Sequence, residues 1–214
     1  MMASAMIEAE MASIGNPIGS GVFVAVVGPS GAGKDTVIAY ARQALRGQPD
    51  FEFVRRVTTR PCDGATEDHD SLTEAAFDAA DAAGAFALSW QAHGLKYGLP
   101  AGVDAAIADG RVAVANLSRA ALPALRRRYA HVLVAEVTAS PEILAERLAA
   151  RGRESRDEVL SRLARAARMD EARMKEARSD VVRIDNGGSR EAAGEKFVSL
   201  LRKALKVADV AGVC

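Results

Sequence analysis

Apolar and polar positions along the chain alternate between short buried runs and longer amphipathic stretches. Val22–Val27 is six apolar residues in succession, VFVAVV. A run so short and unbroken fits a strand covered on both faces, as in a parallel sheet. It ends in Gly28-Pro29-Ser30-Gly31-Ala32-Gly33, and a helical stretch follows to about Leu45. Residues 51–57 read as a second strand. Residues 73–83 read as a helix, with Thr73 as N-cap and Gly84 as its stop. Residues 86–99 carry Trp90, His93 and Tyr97 between glycines and read as short strands and turns. Two further buried strands are expected at 111–115 and 132–137, with helices near 100–109, 118–128 and 141–151. A long charged helix over 156–178, a last strand at 181–184, a turn at Asn186-Gly187-Gly188 and a final helix near 189–207 complete the pattern. Strands alternating with helices predict βαβ units and an α/β fold with a central parallel sheet.

Composition narrows the classes. With 214 residues, the chain is long enough for one compact domain with a sizeable core. The expected organisation is a flexible leader over 1–20, a single domain over 21–208 and a short tail over 209–214. The leader has neither a basic start nor a continuous apolar core, so it does not read as a signal peptide. No apolar run reaches transmembrane length. The 28 basic and 28 acidic side chains cancel, which argues against a general nucleic-acid partner. Cys62 and Cys214 have the spacing of neither a disulfide framework nor a metal site. A cytoplasmic location is expected, with neither membrane nor nucleic acid as partner.

The segment Gly28, Pro29, Ser30, Gly31, Ala32, Gly33, Lys34, Asp35, Thr36 carries the strongest chemical signal. It follows a strand and opens a helix, the setting a phosphate-binding loop requires. Glycines let successive N–H groups turn inward onto phosphate oxygens. The helix start adds free donors and the positive end of its dipole. Lys34 supplies a mobile cation for the β- and γ-phosphates of ATP. A hydroxyl usually follows that lysine and ligates Mg²⁺; here Asp35 stands in that place and Thr36 one residue later. A carboxylate also suits this hard cation, so Asp35 and Thr36 both remain candidate metal ligands.

Further segments fall into the order of a known family. GPSGAGKDT at 28–36, RRVTTRP at 55–61, EDH at 67–69, HGLKYGLP at 93–100 and RGRES at 151–155 resemble the guanylate-kinase-like P-loop kinases, and among them the ribose 1,5-bisphosphate phosphokinases. The resemblance runs from about Val22 to Leu205. It implies an α/β, nucleoside-monophosphate-kinase-like three-layer fold with a central parallel sheet. It further implies a small acceptor-binding insertion at about 51–100 and an arginine-rich lid at about 147–165. ATP and Mg²⁺ are the implied cofactors, in a pathway of phosphonate breakdown. The implied partner is a small phosphorylated acceptor, and monomer and homodimer both stay open.

Departures from the guanylate kinase pattern bear on the acceptor. Gln91 stands where a base-binding glutamate is expected, Leu99 replaces a hydroxyl, and Ala115-Asn116-Leu117-Ser118 replaces an acidic segment. Arg56 occupies a serine place. In one extended strand Arg56 and Arg60 would project to the same face, with Thr58 between them. These changes fit an acceptor with two phosphates and no base. The resemblance also assigns Tyr97 and Glu67 to acceptor binding, Arg151, Arg162 and Arg165 to the transferring phosphoryl group, and Arg147 and Asn186 to the nucleotide. A guanylate kinase and a non-catalytic scaffold are the alternatives. Lys34, the glycines and the lid arginines argue against the scaffold.

Overall fold

The computed structural model describes residues 17–60, 69–92, 94–150 and 180–211. Five parallel strands form the central sheet in the order β2-β7-β1-β8-β9. They are β1 Val22–Val27, β2 Phe51–Phe53, β7 Val112–Asn116, β8 Val132–Thr138 and β9 Val181–Asp185. The unbroken apolar runs have a direct cause. In β1, Val22, Val24 and Val26 face one buried cluster, and Phe23, Ala25 and Val27 face another. β7 divides the same way, Val112 and Val114 against Ala113 and Ala115. Each face needs an apolar residue at every second position, and two covered faces need one everywhere.

Helices α1 Lys34–Ala44 and α6 Arg190–Ala211 cover the first face. Helices α3 Gly102–Ala108 and α4 Leu122–Arg128 lie over the second. Helix α5 Pro141–Ala149 follows β8 and is capped by Ser140, whose Oγ accepts from the Ile143 N–H. Phe197, fully buried on α6, and Tyr129, stacked on Phe23 with centroids 5.3 Å apart, are among the largest core side chains.

A second sheet, ordered β4-β3-β6-β5, stands beside the first. It consists of β3 Arg56–Thr58, β4 His69–Ser71, β5 Phe86–Ala92 and β6 Leu95–Pro100. Helix α2 Glu74–Ala82 packs on it through Phe77, stacked on Phe86 at 4.7 Å. Thr73 caps α2 as expected, accepting from the Ala76 N–H.

Three expectations change. Residues 51–57 are not one strand: β2 belongs to the central sheet and β3 to the second. The Val54 N–H still bonds the Val114 carbonyl at 2.9 Å, after which the chain crosses between sheets. Within the segment expected as a leader, Ile18 is bonded to the fold: its N–H donates to Arg128 O and the Ala130 N–H to Ile18 O. The last helix continues past 208 to Ala211. No helix among the described residues is long and apolar enough to cross a membrane.

The helix that carries the phosphate loop is held by α6 at a tight contact. A Cβ on Gly194 would lie 2.3 Å from Cγ and Cδ1 of Tyr40 on α1. Two effects oppose each other in Gly194→Ala. Alanine gains about 1 kcal/mol of helix propensity, and overpacking costs about 1–3 kcal/mol. The clash falls at the root of the ring, which cannot swing away, so the variant should melt at a lower temperature than wild type. An equal or higher midpoint by calorimetry would show that Tyr40 yields.

Candidate functional site: a phosphate loop and an adjoining basic face

β1 delivers the loop at its carboxyl end, where open α/β sheets place their ligands. Gly28 has φ +151°, and a Cβ there would lie 2.2 Å from the Val137 carbonyl oxygen of β8. Backbone cannot give way, so only glycine fits. Gly33 is the N-cap of α1 at φ +84°, and its Cβ would fall 2.2 Å from Nδ2 of Asn186. No side chain caps α1. The first N–H groups of that helix, orphans in any helix, therefore face the loop's mouth together with the positive end of the dipole.

The loop's carbonyls are braced from outside. Lys34 Nζ donates to Gly28 O at 3.0 Å and Pro29 O at 3.1 Å. Asn186 Nδ2 donates to Ala32 O at 2.7 Å, and Arg147 donates to Gly31 O at 3.4 Å and Asn186 O at 2.9 Å. The Asn186 N–H is itself tied to Thr138 O at 2.7 Å. Asn186 was expected to contact adenine. With 2% of its surface exposed and its amide under the loop, it acts as a brace.

Asp35 lies in the first turn of α1, half-buried, and Asn116 Nδ2 donates to its Oδ1 at 2.8 Å. Asn116 closes β7 and is 8% exposed. Its backbone carbonyl accepts from Arg56 Nη1 at 3.4 Å. The Arg56 guanidinium sits 5.4 Å from the centroid of Tyr97, and Tyr97 stacks on Trp90 at 5.4 Å. Strand registers Thr58↔Tyr97 and Trp90↔Tyr97 put Arg56, Thr58, Tyr97 and Trp90 on one face of the second sheet. Arg56 and Tyr97 are thus brought next to the loop through Asn116.

Arg60 departs from its expected position. β3 ends at Thr58, and Arg60 lies in the bend beyond, its N–H donating to Thr58 Oγ1 at 3.3 Å. Because β3 stops at Thr58, no extended strand carries Arg56 and Arg60 on one face. Arg55 is a surface residue, paired with Asp70 at 2.9 Å with both side chains more than half exposed. Such a pair contributes about 0–1 kcal/mol. Glu67, His93, Arg151, Arg162 and Arg165 lie outside the described residues.

Several residues escaped sequence reasoning. Asn116 was noted only as part of a segment that replaces an acidic one, and its bond to Asp35 is the part that escaped. Glu136, the single carboxylate inside β8, is another. It is 7% exposed and accepts from Arg119 Nη2 at 3.0 Å and Arg183 Nε at 3.1 Å, the pairing a buried charge requires. His69, known from the sequence only as part of the EDH segment, is a strand residue, 6% exposed and paired in register with Arg56.

The brace makes a prediction. Asn186→Ala removes the donor to Ala32 O, and leaving a buried carbonyl without its partner costs about 1–3 kcal/mol. The dissociation constant for ATP, the ligand expected from the loop, should rise about tenfold or more. An unchanged constant by titration calorimetry would mean that Arg147 and Lys34 hold the loop without it.

Comparison with known proteins places this geometry. No family model matches the chain. It is 51% identical over 210 residues to the ribose 1,5-bisphosphate phosphokinase PhnN of Chelativorans sp. (strain BNC1), covering 98% of both chains. It is 52% identical over 183 residues to the enzyme of the same name from Brucella melitensis biotype 2, covering 86% of this chain and 93% of that one. Among solved structures it resembles the guanylate kinase of Anaplasma phagocytophilum, with a TM-score of 0.58 and 16% identity over 88% of this chain and 87% of that one. That likeness concerns the fold.

Proposed function

The chain belongs to the ribose 1,5-bisphosphate phosphokinase family, and from that premise we propose that it transfers the γ-phosphoryl group of ATP to the 1-phosphate of ribose 1,5-bisphosphate. An oxygen of the acceptor phosphate bonds to the γ-phosphorus, and the bond from that phosphorus to the β–γ bridging oxygen breaks. ADP leaves and 5-phosphoribosyl 1-diphosphate forms. The observation that carries the acceptor reading is Arg56, whose guanidinium is anchored by the Asn116 carbonyl and the Tyr97 ring beside the phosphate loop. A guanidinium grips a phosphate through two parallel bonds. The positions where a base would need polar partners offer little: Leu99, Ala115 and Leu117 are buried in the core, and Gln91 points into solvent.

Each part of the site then has a task. N–H groups of the glycine-rich loop and of the start of α1 bind the donor's phosphates, Pro29 having none to offer, and Lys34 balances charge on the group in transfer. Arg147 and Asn186 keep the loop in shape. Tyr97 and Arg56 bind the acceptor, with Arg60 and Glu67 assigned to it from the sequence alone. Arg151, Arg162 and Arg165 are assigned on the same ground to the equatorial oxygens of the transferring group. Mg²⁺ fits the donors present, because it takes one or two carboxylates and otherwise phosphate and water oxygens. Asp35 and Thr36 would hold it, and when bound it neutralises charge on the β- and γ-phosphates.

A coupled assay on wild type, comparing kcat/KM for ribose 1,5-bisphosphate and GMP, tests the acceptor. The bisphosphate should be preferred by orders of magnitude, since a site built for polar partners rejects ligands that leave them unpaired. A preference for GMP would overturn the assignment. Arg56→Ser should raise KM for the bisphosphate far more than KM for ATP, and equal effects on both would remove Arg56 from the acceptor site. Lys34→Ala should lower kcat by about 10²- to 10³-fold with the fold intact by circular dichroism. Near-normal turnover in that variant would defeat the kinase reading.

A further inference from the structure

We propose that this chain has exchanged the two side chains with which a phosphate-loop enzyme ordinarily holds its divalent cation. The carboxylate has moved from the sheet to the loop as Asp35, and the sheet position has become Asn116, a neutral donor that aims it. The proposal rests on the kinase reading above. In phosphate-loop NTPases the loop contributes a hydroxyl, and an aspartate at the end of a nearby strand contributes the charge. Here the neighbouring strand is β7, paired directly with β1 in the register Val26↔Asn116, and it ends on Asn116.

The geometry makes the two positions one unit. Asn116 Nδ2 stands 2.8 Å from Asp35 Oδ1. An aspartate at 116 would set two acceptor-only carboxylates against each other at that separation with no donor between them. A serine at 35 beside asparagine would leave this pair without a carboxylate. The chain keeps the acid on the loop and the donor on the sheet. The amide has no freedom to turn. A carboxylate only accepts, so the Asn116 nitrogen must face it. The buried Oδ1 is left without a hydrogen-bond partner among the described residues. The Asp35 side chain makes no other hydrogen bond among the described residues, so one oxygen is fixed by the amide and the other remains for the cation or its waters. Asn116 is therefore a positioning residue that acts through Asp35.

The reciprocal swap tests this. Asp35→Ser, Asn116→Asp and the double variant are compared with wild type by calorimetry, titrating ATP with and without Mg²⁺. The readout is the ratio of the two dissociation constants, which reports the metal's contribution to binding apart from turnover. Each single variant should reduce that ratio about tenfold to a hundredfold. The double variant, which restores the ordinary hydroxyl–carboxylate pair, should return to within about threefold of wild type. A double variant no better than the worse single would overturn the proposal, as would a wild-type ratio in Asn116→Asp alone. Should either single fail to fold, Asn116→Ala removes the tether without adding charge. It should lower the ratio about tenfold or more, and an unchanged ratio would overturn the proposal equally. Failure of the kinase reading is a separate result: wild type would then bind ATP without phosphorylating the bisphosphate.

Discussion

A loop that turns its N–H groups inward must turn carbonyls outward, and those carbonyls need partners of their own. That requirement organises the site. Gly28, Pro29, Gly31 and Ala32 all have their carbonyls met by side chains: the first two by Lys34, the third by Arg147, the fourth by Asn186. The loop grows from the central strand, yet two of its three braces come from the β8–β9 side of the sheet. Arg147 stands on the helix after β8, and Asn186 directly follows β9. Val137 of β8 also presses on Gly28. The parallel sheet thus does more than place the loop at an edge, because its outer strands fix the loop's shape before a ligand arrives. Such preorganisation is where binding sites of this kind get their strength.

Most of the fold was legible because both faces of the central sheet are covered. Strands buried twice over must be apolar throughout, and VFVAVV could be little else. The split at residues 53–56 was not legible. FEFVRRV contains no turn residue, and nothing local says that the chain changes sheets there. The change is decided by remote partners: β2 pairs with β7, while Val57 pairs with Gly98. β4 was missed for the same reason. Three residues, HDS, carry no period, and their strand exists only because β3 offers an edge.

The site divides along the same line. The turn at Gly28 and Gly33 and the lysine that opens α1 were readable because backbone shape and charge within a few residues impose them. Asn186 was assigned to the nucleotide by resemblance, while its brace on Ala32, 154 positions away, was invisible in the sequence. The Asp35–Asn116 bond spans 81 positions. Sequence showed an unexpected carboxylate on the loop and an unexpected amide on the sheet as two unrelated oddities. Only the register of β1 with β7 joins them into one feature.

That register also sets how the two halves of the site move relative to each other. Asn116 meets the donor half through its side chain, at Asp35, and the acceptor half through its backbone carbonyl, at Arg56. The two contacts differ in stiffness. The bond to Asp35 is short and charge-assisted, the stronger kind. The contact with Arg56 is 3.4 Å long, at the weak end of hydrogen bonding, and is backed by the Tyr97 ring. The Asn116 end of β7 is paired with β1 in the register Val26↔Asn116, while β2 pairs with β7 only as far as Val114, so β1 is what ties this strand end to the central sheet. In-line transfer needs one reactant held and the other brought to it within a few tenths of an ångström. In the proposed site a loop tied to the central sheet suits the first task, and a long guanidinium reaching across from a separate small sheet, anchored at the Asn116 carbonyl and the Tyr97 ring, suits the second.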